Sequence, residues 1–185
     1  VGLSLFDLGS GSSTVRPGHQ EGKKAASVAS SIAPLGRVGA GTGATVSKWR
    51  GKEFSELGGL GGATFREGDL IVSCLIAVNA SGDIDFGEYP NKIRDGQFSI
   101  PKVNPFENTT IGVVATNAKL TKSECFLVSQ SAHDGYARAL FPAHTSGDGD
   151  AVVVAATGKV PTEMSTIRSL TTLTVETAIK SIANE

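Results

Sequence analysis

Apolar positions in this chain fall into separated stretches whose spacing distinguishes helices from strands. From Gln20 to Ala33 small and apolar residues recur at helix-compatible intervals, closed by Pro34 and Gly36, and this predicts a helix. Leu70-Ile71-Val72-Ser73-Cys74-Leu75-Ile76-Ala77-Val78 is short and rich in β-branched residues. It predicts a buried strand within Asp69 to Ala80, ending at Asn79 with a turn at Ser81-Gly82-Asp83. Ile111 to Thr116 and Ala151 to Ala156 predict two further buried strands, with a helix between them from Thr121 to Leu140, capped by Thr121. The tail from Pro161 to Ala183 is helical in pattern, with Pro161 at its start. Strands bracketed by helices, with runs buried on both faces, predict a layered α/β or α+β architecture in a single domain.

Glycine changes that picture locally. Of 23 glycines, many cluster between Gly36 and Gly51 and in Gly58-Gly59-Leu60-Gly61-Gly62, which predicts tight turns and close approach of backbone to backbone or ligand. The stretch from Asp83 to Asn108, with Pro90, Pro101 and Pro105, carries the weakest pattern and is where a processing loop would lie.

Composition narrows the partners. With 39% hydrophobic and 19% charged residues the chain has enough apolar material for a core, and a net charge of -1 argues against nucleic acid or anionic membrane as main partner. Cys74 and Cys125 offer neither metal-ligand spacing nor a disulfide framework, which favours a reducing compartment. No apolar stretch approaches the roughly 18–20 residues of a membrane span, and no signal-like leader is present, so a cytoplasmic location is expected.

Candidate chemistry concentrates at Asn108-Thr109-Thr110, where a polar loop ending in Pro105-Phe106-Glu107 runs into an apolar strand. One reading is a loop entering a buried strand. The other is a junction at which the chain cuts itself between Asn108 and Thr109 and exposes Thr109 as a new N-terminus. A free α-amine titrates at roughly 7.7–8.0 and so could take the proton of its own hydroxyl, making Thr109 a self-contained nucleophile. His144-Thr145-Ser146-Gly147-Asp148-Gly149-Asp150 places two carboxylates around one glycine: an ordinary solvated turn, a pair that orients the Thr109 amine or hydroxyl, or a turn for one Ca²⁺. Lys48 is either a surface lysine or a charge beside a site. Asn79 is either a turn-former or a donor to a developing oxyanion.

Other motifs carry less. Gly39-Ala40-Gly41-Thr42-Gly43-Ala44 satisfies the loose dinucleotide pattern without a preceding strand or a following helix. Asn108-Thr109-Thr110 and Asn79-Ala80-Ser81 match the N-glycosylation pattern without a secretion signal. His19, His133 and His144 lack metal spacing, and no serine-hydrolase elbow is present. No cofactor-binding or metal-binding residue is assigned.

Taken in order, Val38 to Lys48, Gly58 to Gly61, Val78 to Asp83, Asn108 to Ala118, Ala132 to Gly135 and His144 to Asp150 resemble the L-aminopeptidase/D-esterase (DmpA-type) family of N-terminal-nucleophile hydrolases. That family includes β-peptidyl aminopeptidases and nylon-oligomer (6-aminohexanoate oligomer) hydrolases. The resemblance implies an α+β, four-layer αββα sandwich, cut into 1–108, the C-terminal part of an α subunit, and 109–185, the β subunit. It implies Thr109 as nucleophile, Asn79 at the oxyanion site, Lys48 lining the pocket, and Asp148 and Asp150 positioning Thr109 and substrate amines. Aminopeptidase members resemble Ser-x-Glu at that turn, whereas Asp148-Gly149-Asp150 is similar to nylon-oligomer hydrolases. The expected activity is hydrolysis of a small peptide-like or ω-amino-acid oligomer amide through an acyl-enzyme. The alternatives are acyl transfer of the ornithine-acetyltransferase type and a non-catalytic truncated relic. The resemblance further implies a homo-oligomer, a tetramer, and an upstream segment carrying an oxyanion-site tyrosine, which neither Tyr89 nor Tyr136 matches by position.

Overall fold

Four strands form the main sheet, in the order β3 (Gly59–Glu67), β4 (Leu70–Asn79), β6 (Thr109–Ala118), β8 (Ala151–Val160). This computed structural model describes Leu3, Leu5 and residues 12–96 and 108–184. β4 pairs antiparallel with β3 and β6, and β6 pairs parallel with β8. The parallel pair needs a crossover, supplied by α3 (Lys122–Ala139). α4 (Met164–Ser181) follows β8 and lies against α3, β3 and β4.

One face of the sheet makes the core with these two helices. Alternation along β4 sends Val72, Cys74, Ile76 and Val78 into it, where they meet Val128, Ala132 and Tyr136 of α3 and Val175, Ala178 and Ile179 of α4. Each fully buried side chain of this kind contributes roughly 1.5–3 kcal/mol over its exposed state. The opposite face is not sealed among the described residues: Val113 and Val153 are 40% and 37% exposed, while Val114 beside them is 0%. The expectation of strands buried on both faces is therefore corrected: α3 and α4 cover one face of the four-stranded sheet, and the other face is partly exposed among the described residues.

The smaller elements are α1 (His19–Ser27), α2 (Tyr89–Arg94), the β1 (Thr45–Val46) and β2 (Glu56–Leu57) pair, and the β5 (Asp83–Ile84) and β7 (Leu140–Phe141) pair. α1 is shorter than the expected Gln20 to Ala33 because none of its residues is buried, and without packing a short helix does not propagate. Of the glycine cluster at Gly58–Gly62, read as tight turns, Gly59 to Gly62 instead open the regular strand β3 and Gly58 joins it to β2, while the expected close backbone approach holds. α3 begins as expected, with Thr121 and Glu124 forming a reciprocal capping box. α4 starts at Met164, leaving Pro161 outside, and β8 runs on to Val160. The expected loop from Asp83 to Asn108 is corrected in its first part, where 83–96 carry β5 and α2 with Pro90 in the first turn of the helix; 97–107, with Pro101 and Pro105, lie outside the described residues. No described helix is long and apolar enough to cross a membrane.

Candidate active site

Strand directions decide what meets at one end of the sheet. β6 and β8 run parallel, so their N-terminal ends lie side by side, and the turn before β8 sits beside the start of β6. β4 runs the other way, so its last residue, Asn79, pairs with Thr109, the first residue of β6. Three polar segments distant in sequence thus converge where the apolar runs stop.

The Asn108–Thr109 junction is held from the β8 side. Asn108 and Asp148 form a parallel bridge, in which the Asn108 N–H donates to Gly147 O at 3.1 Å and the Gly149 N–H donates to Asn108 O at 2.9 Å. The Thr109 hydroxyl also donates to the Asn108 carbonyl oxygen. Gly149 lets the turn come close to the junction: a Cβ there would stand 3.1 Å from Thr109 Oγ1, a tight contact that would press on the hydroxyl.

Both carboxylates of the turn are engaged. Asp148 accepts from the Ser81 N–H at 3.0 Å through Oδ1, and from the Thr145 N–H at 3.1 Å and hydroxyl at 2.5 Å through Oδ2. Asp150 accepts the Thr110 N–H at 2.7 Å through Oδ1 and meets His144 Nδ1 at 2.8 Å through Oδ2. Burial pushes the Asp148 carboxyl above the usual carboxylate range; its Thr145 and Ser81 donors pull it partly back, and the charge of Asp150 pushes it up. An ordinary solvated turn does not bind its carboxylates this way. Among the described residues, no group of three or more His, Cys, Asp or Glu is placed to hold a metal ion.

On the β4 side, Asn79 is 1% exposed, and its Oδ1 accepts from Lys48 Nζ at 3.0 Å and from the Thr45 N–H at 3.0 Å. Lys48 Nζ also donates to Asn79 O at 3.3 Å. Lys48 reaches this position because the Lys48 and Trp49 N–H groups dock on Ser81 O. Trp49 itself packs edge-on to Tyr89 and Phe141, at 6.0 and 6.1 Å between ring centroids. The surface-lysine reading of Lys48 is replaced by a lysine anchored on a buried asparagine.

All the expected site residues, Lys48, Asn79, Asn108, Thr109, Asp148 and Asp150, therefore gather at one sheet end. Sequence reasoning passed over Gly149 and Thr145, which hold the junction and the turn, and treated His133 and His144 apart. Those two rings lie 4.9 Å apart, with His144 on Asp150. The one available signal was His144 standing just before the acidic pair. Cys74 is no rival nucleophile, since burial pushes its thiol up to about 12.

Comparison with known proteins gives the family and the fold. The model of peptidase family S58 matches residues 3–185. An uncharacterised aminopeptidase of Mycobacterium tuberculosis is 33% identical over 180 residues, covering 86% of this chain and 51% of that protein. The 6-aminohexanoate-oligomer endohydrolase of Paenarthrobacter ureafaciens is 27% identical over 204 residues, covering 98% of this chain and 56% of that protein. The chain thus spans about half the length of the curated relatives it matches. The solved structure of the L-aminopeptidase D-Ala-esterase/amidase from Ochrobactrum anthropi, described as a variant of the Ntn hydrolase fold, superposes with a TM-score of 0.58 at 19% identity, covering 83% of this chain and 46% of that one. The chain therefore has an α+β fold like that variant of the Ntn hydrolase fold, and it belongs to peptidase family S58.

Proposed function

We propose that the sheet end around Thr109 is the site of an amide hydrolase that first cuts its own chain between Asn108 and Thr109. The observation that carries this reading is the junction itself: the Asn108 carbonyl takes the Gly149 N–H at 2.9 Å, beside the Thr109 hydroxyl. A hydroxyl next to the carbonyl of the preceding residue is set for an N→O acyl shift. Thr109 Oγ bonds to the Asn108 carbonyl carbon, the Asn108–Thr109 C–N bond breaks, and the hydroxyl proton ends on the new Thr109 amine. Water then hydrolyses the ester, giving 1–108 and 109–185 in this numbering.

The freed amine serves as general base for the next attack, on a substrate amide. Thr109 Oγ forms the acyl-enzyme, the amine passes its proton to the leaving nitrogen, and water releases the acid. Asn79, paired with Thr109 across the sheet and polarised by Lys48, stabilises the developing oxyanion. Asp148 and Asp150 fix the turn against Ser81, Thr145, Thr110 and His144, and their negative charge favours a substrate amine nearby. The names of the relatives point to a linear amide, either a peptide N-terminus or an ω-amino-acid oligomer, and the Asp148-Gly149-Asp150 turn favours the oligomer.

Thr109→Ala tests the reading. The variant should run as one band on a denaturing gel, where the parent gives two fragments, the smaller with Thr109 at its N-terminus. Two bands from the variant would overturn it.

A further inference from the structure

His144 has a φ of 52°, in the left-handed region that few residues besides glycine enter but where histidine, asparagine and aspartate are enriched. Its ring stacks on Tyr136 at 5.8 Å and 26°, and tilts against His133. Both ring nitrogens face acceptors: Nδ1 meets Asp150 Oδ2 at 2.8 Å, and Nε2 meets the His133 carbonyl oxygen at 3.4 Å. A neutral imidazole has only one N–H, so the ring satisfies both partners only as imidazolium. Through Asp150 the line continues to the Thr110 N–H at 2.7 Å, one residue from the junction.

We propose that His144 is a positioning residue for Thr109: while its ring donates from both nitrogens it clamps Asp150 on the Thr110 N–H, and so fixes where the Thr109 hydroxyl points. This rests on the reading of Thr109 as nucleophile. Losing the Nε2 proton sets a nitrogen lone pair against the His133 carbonyl, so that contact is given up; the Nδ1–H bond to Asp150 then loses its charge assistance and the second contact that fixes the ring, and Asp150 is held more weakly. The charged and titratable groups facing His144 are Asp150 and Asp148 from the turn, and His133 and Tyr136 from α3, with Asp134 beside them. The Asp150 hydrogen bond raises His144 above an ordinary histidine despite partial burial. Burial and the neighbouring His144 lower His133, so the proton resides on His144. The clamp is at full strength below the His144 value and weakens as pH rises through it.

The test follows self-cleavage of the full chain against pH, for the parent, His144→Asn and His144→Phe. Asparagine can donate near the Nδ1 position without titrating. The parent should lose rate as pH rises through the imidazole range, and His144→Asn should cut without that falling limb. His144→Phe should be slower at every pH by about ten- to a hundredfold, the usual consequence of a misplaced reacting group. In parallel, the Thr110 amide resonance is followed by NMR in the uncut Thr109→Ala chain. It should titrate with His144 and cease to do so when His144→Asn is added. Identical pH profiles for the parent and His144→Asn, or a Thr110 amide indifferent to His144, would overturn the proposal. A parent chain that is never cut while its Thr110 amide follows His144 would overturn the nucleophile reading and support the coupling.

Discussion

Asn79 Oδ1 is committed to Lys48 Nζ and the Thr45 N–H, both at 3.0 Å, which turns the NH₂ end of the amide away from the lysine. A cation on the oxygen withdraws electron density and makes the amide N–H a stronger donor, so in the proposed mechanism Lys48 would act through Asn79. Lys48→Met keeps length and packing but deletes the charge. A hydrogen bond to a charged group is worth about 1.5–3 kcal/mol, so the variant should lose about tenfold or more in cleavage rate if the transition state feels the whole interaction. The measurement is the first-order rate of fragment appearance with circular dichroism unchanged; an undiminished rate in a folded variant would remove Lys48 from the site. Neither role was decidable from the residue type, because lysine beside Trp49 and Arg50 reads as surface until Ser81 O docks that segment on the end of β4.

At the scale of elements, the first turn of α3 was legible, since Thr121 and Glu124 stand at capping-box spacing and the box closes entirely within local sequence. β3 was not. Glycine has low strand propensity and shows no apolar alternation, so Gly58–Gly62 reads as turn chemistry until the neighbouring layer explains it. The two faces of β3 differ in a testable way. A Cβ on Gly61 would stand 2.0 Å from the Ala178 carbonyl oxygen, so α4 itself would have to move. On Gly62 the nearest atoms, at 2.9 and 3.1 Å, are side-chain methyls of Leu35 and Leu75, which can rotate aside. Gly61→Ala should cost about 1–3 kcal/mol by overpacking, lowering Tm by several degrees at about 2–4 °C per kcal/mol for a chain of this size. Gly62→Ala should change Tm far less, and equal melting shifts for the two variants would refute this account of the helix–strand contact.

Over the whole molecule, a cut after Asn108 would fall between two strands that pair along their length. β4 belongs to the first fragment, and β6, β8, α3 and α4 to the second, yet β4 is hydrogen-bonded to β6 from Asn79↔Thr109 to Val72↔Thr116 and its apolar face lies in the same core as α3 and α4. The fragments should therefore co-elute in native size-exclusion chromatography and separate only in denaturant. Elution of free 109–185 without denaturant would show that the core does not hold them. By itself the sequence determined the elements whose signals are local: the apolar runs of β4, β6 and β8, the capped start of α3 and the helical tail, because residue spacing and capping act within a few positions. Its ordered motifs also identified the family and named the residues now found together. Only the tertiary structure decided how they meet. Antiparallel pairing of β4 with β6 and parallel pairing of β6 with β8 bring Asn79, Thr109 and the Asp148–Asp150 turn to one end, and hydrogen-bond register is a relation between segments that no single segment encodes. The contact of His144 with Asp150, and through it with the Thr110 N–H, belongs to the same class. It exists because a buried carboxylate must find donors, and the fold supplies one from its own turn and one from a strand forty residues before Asp150.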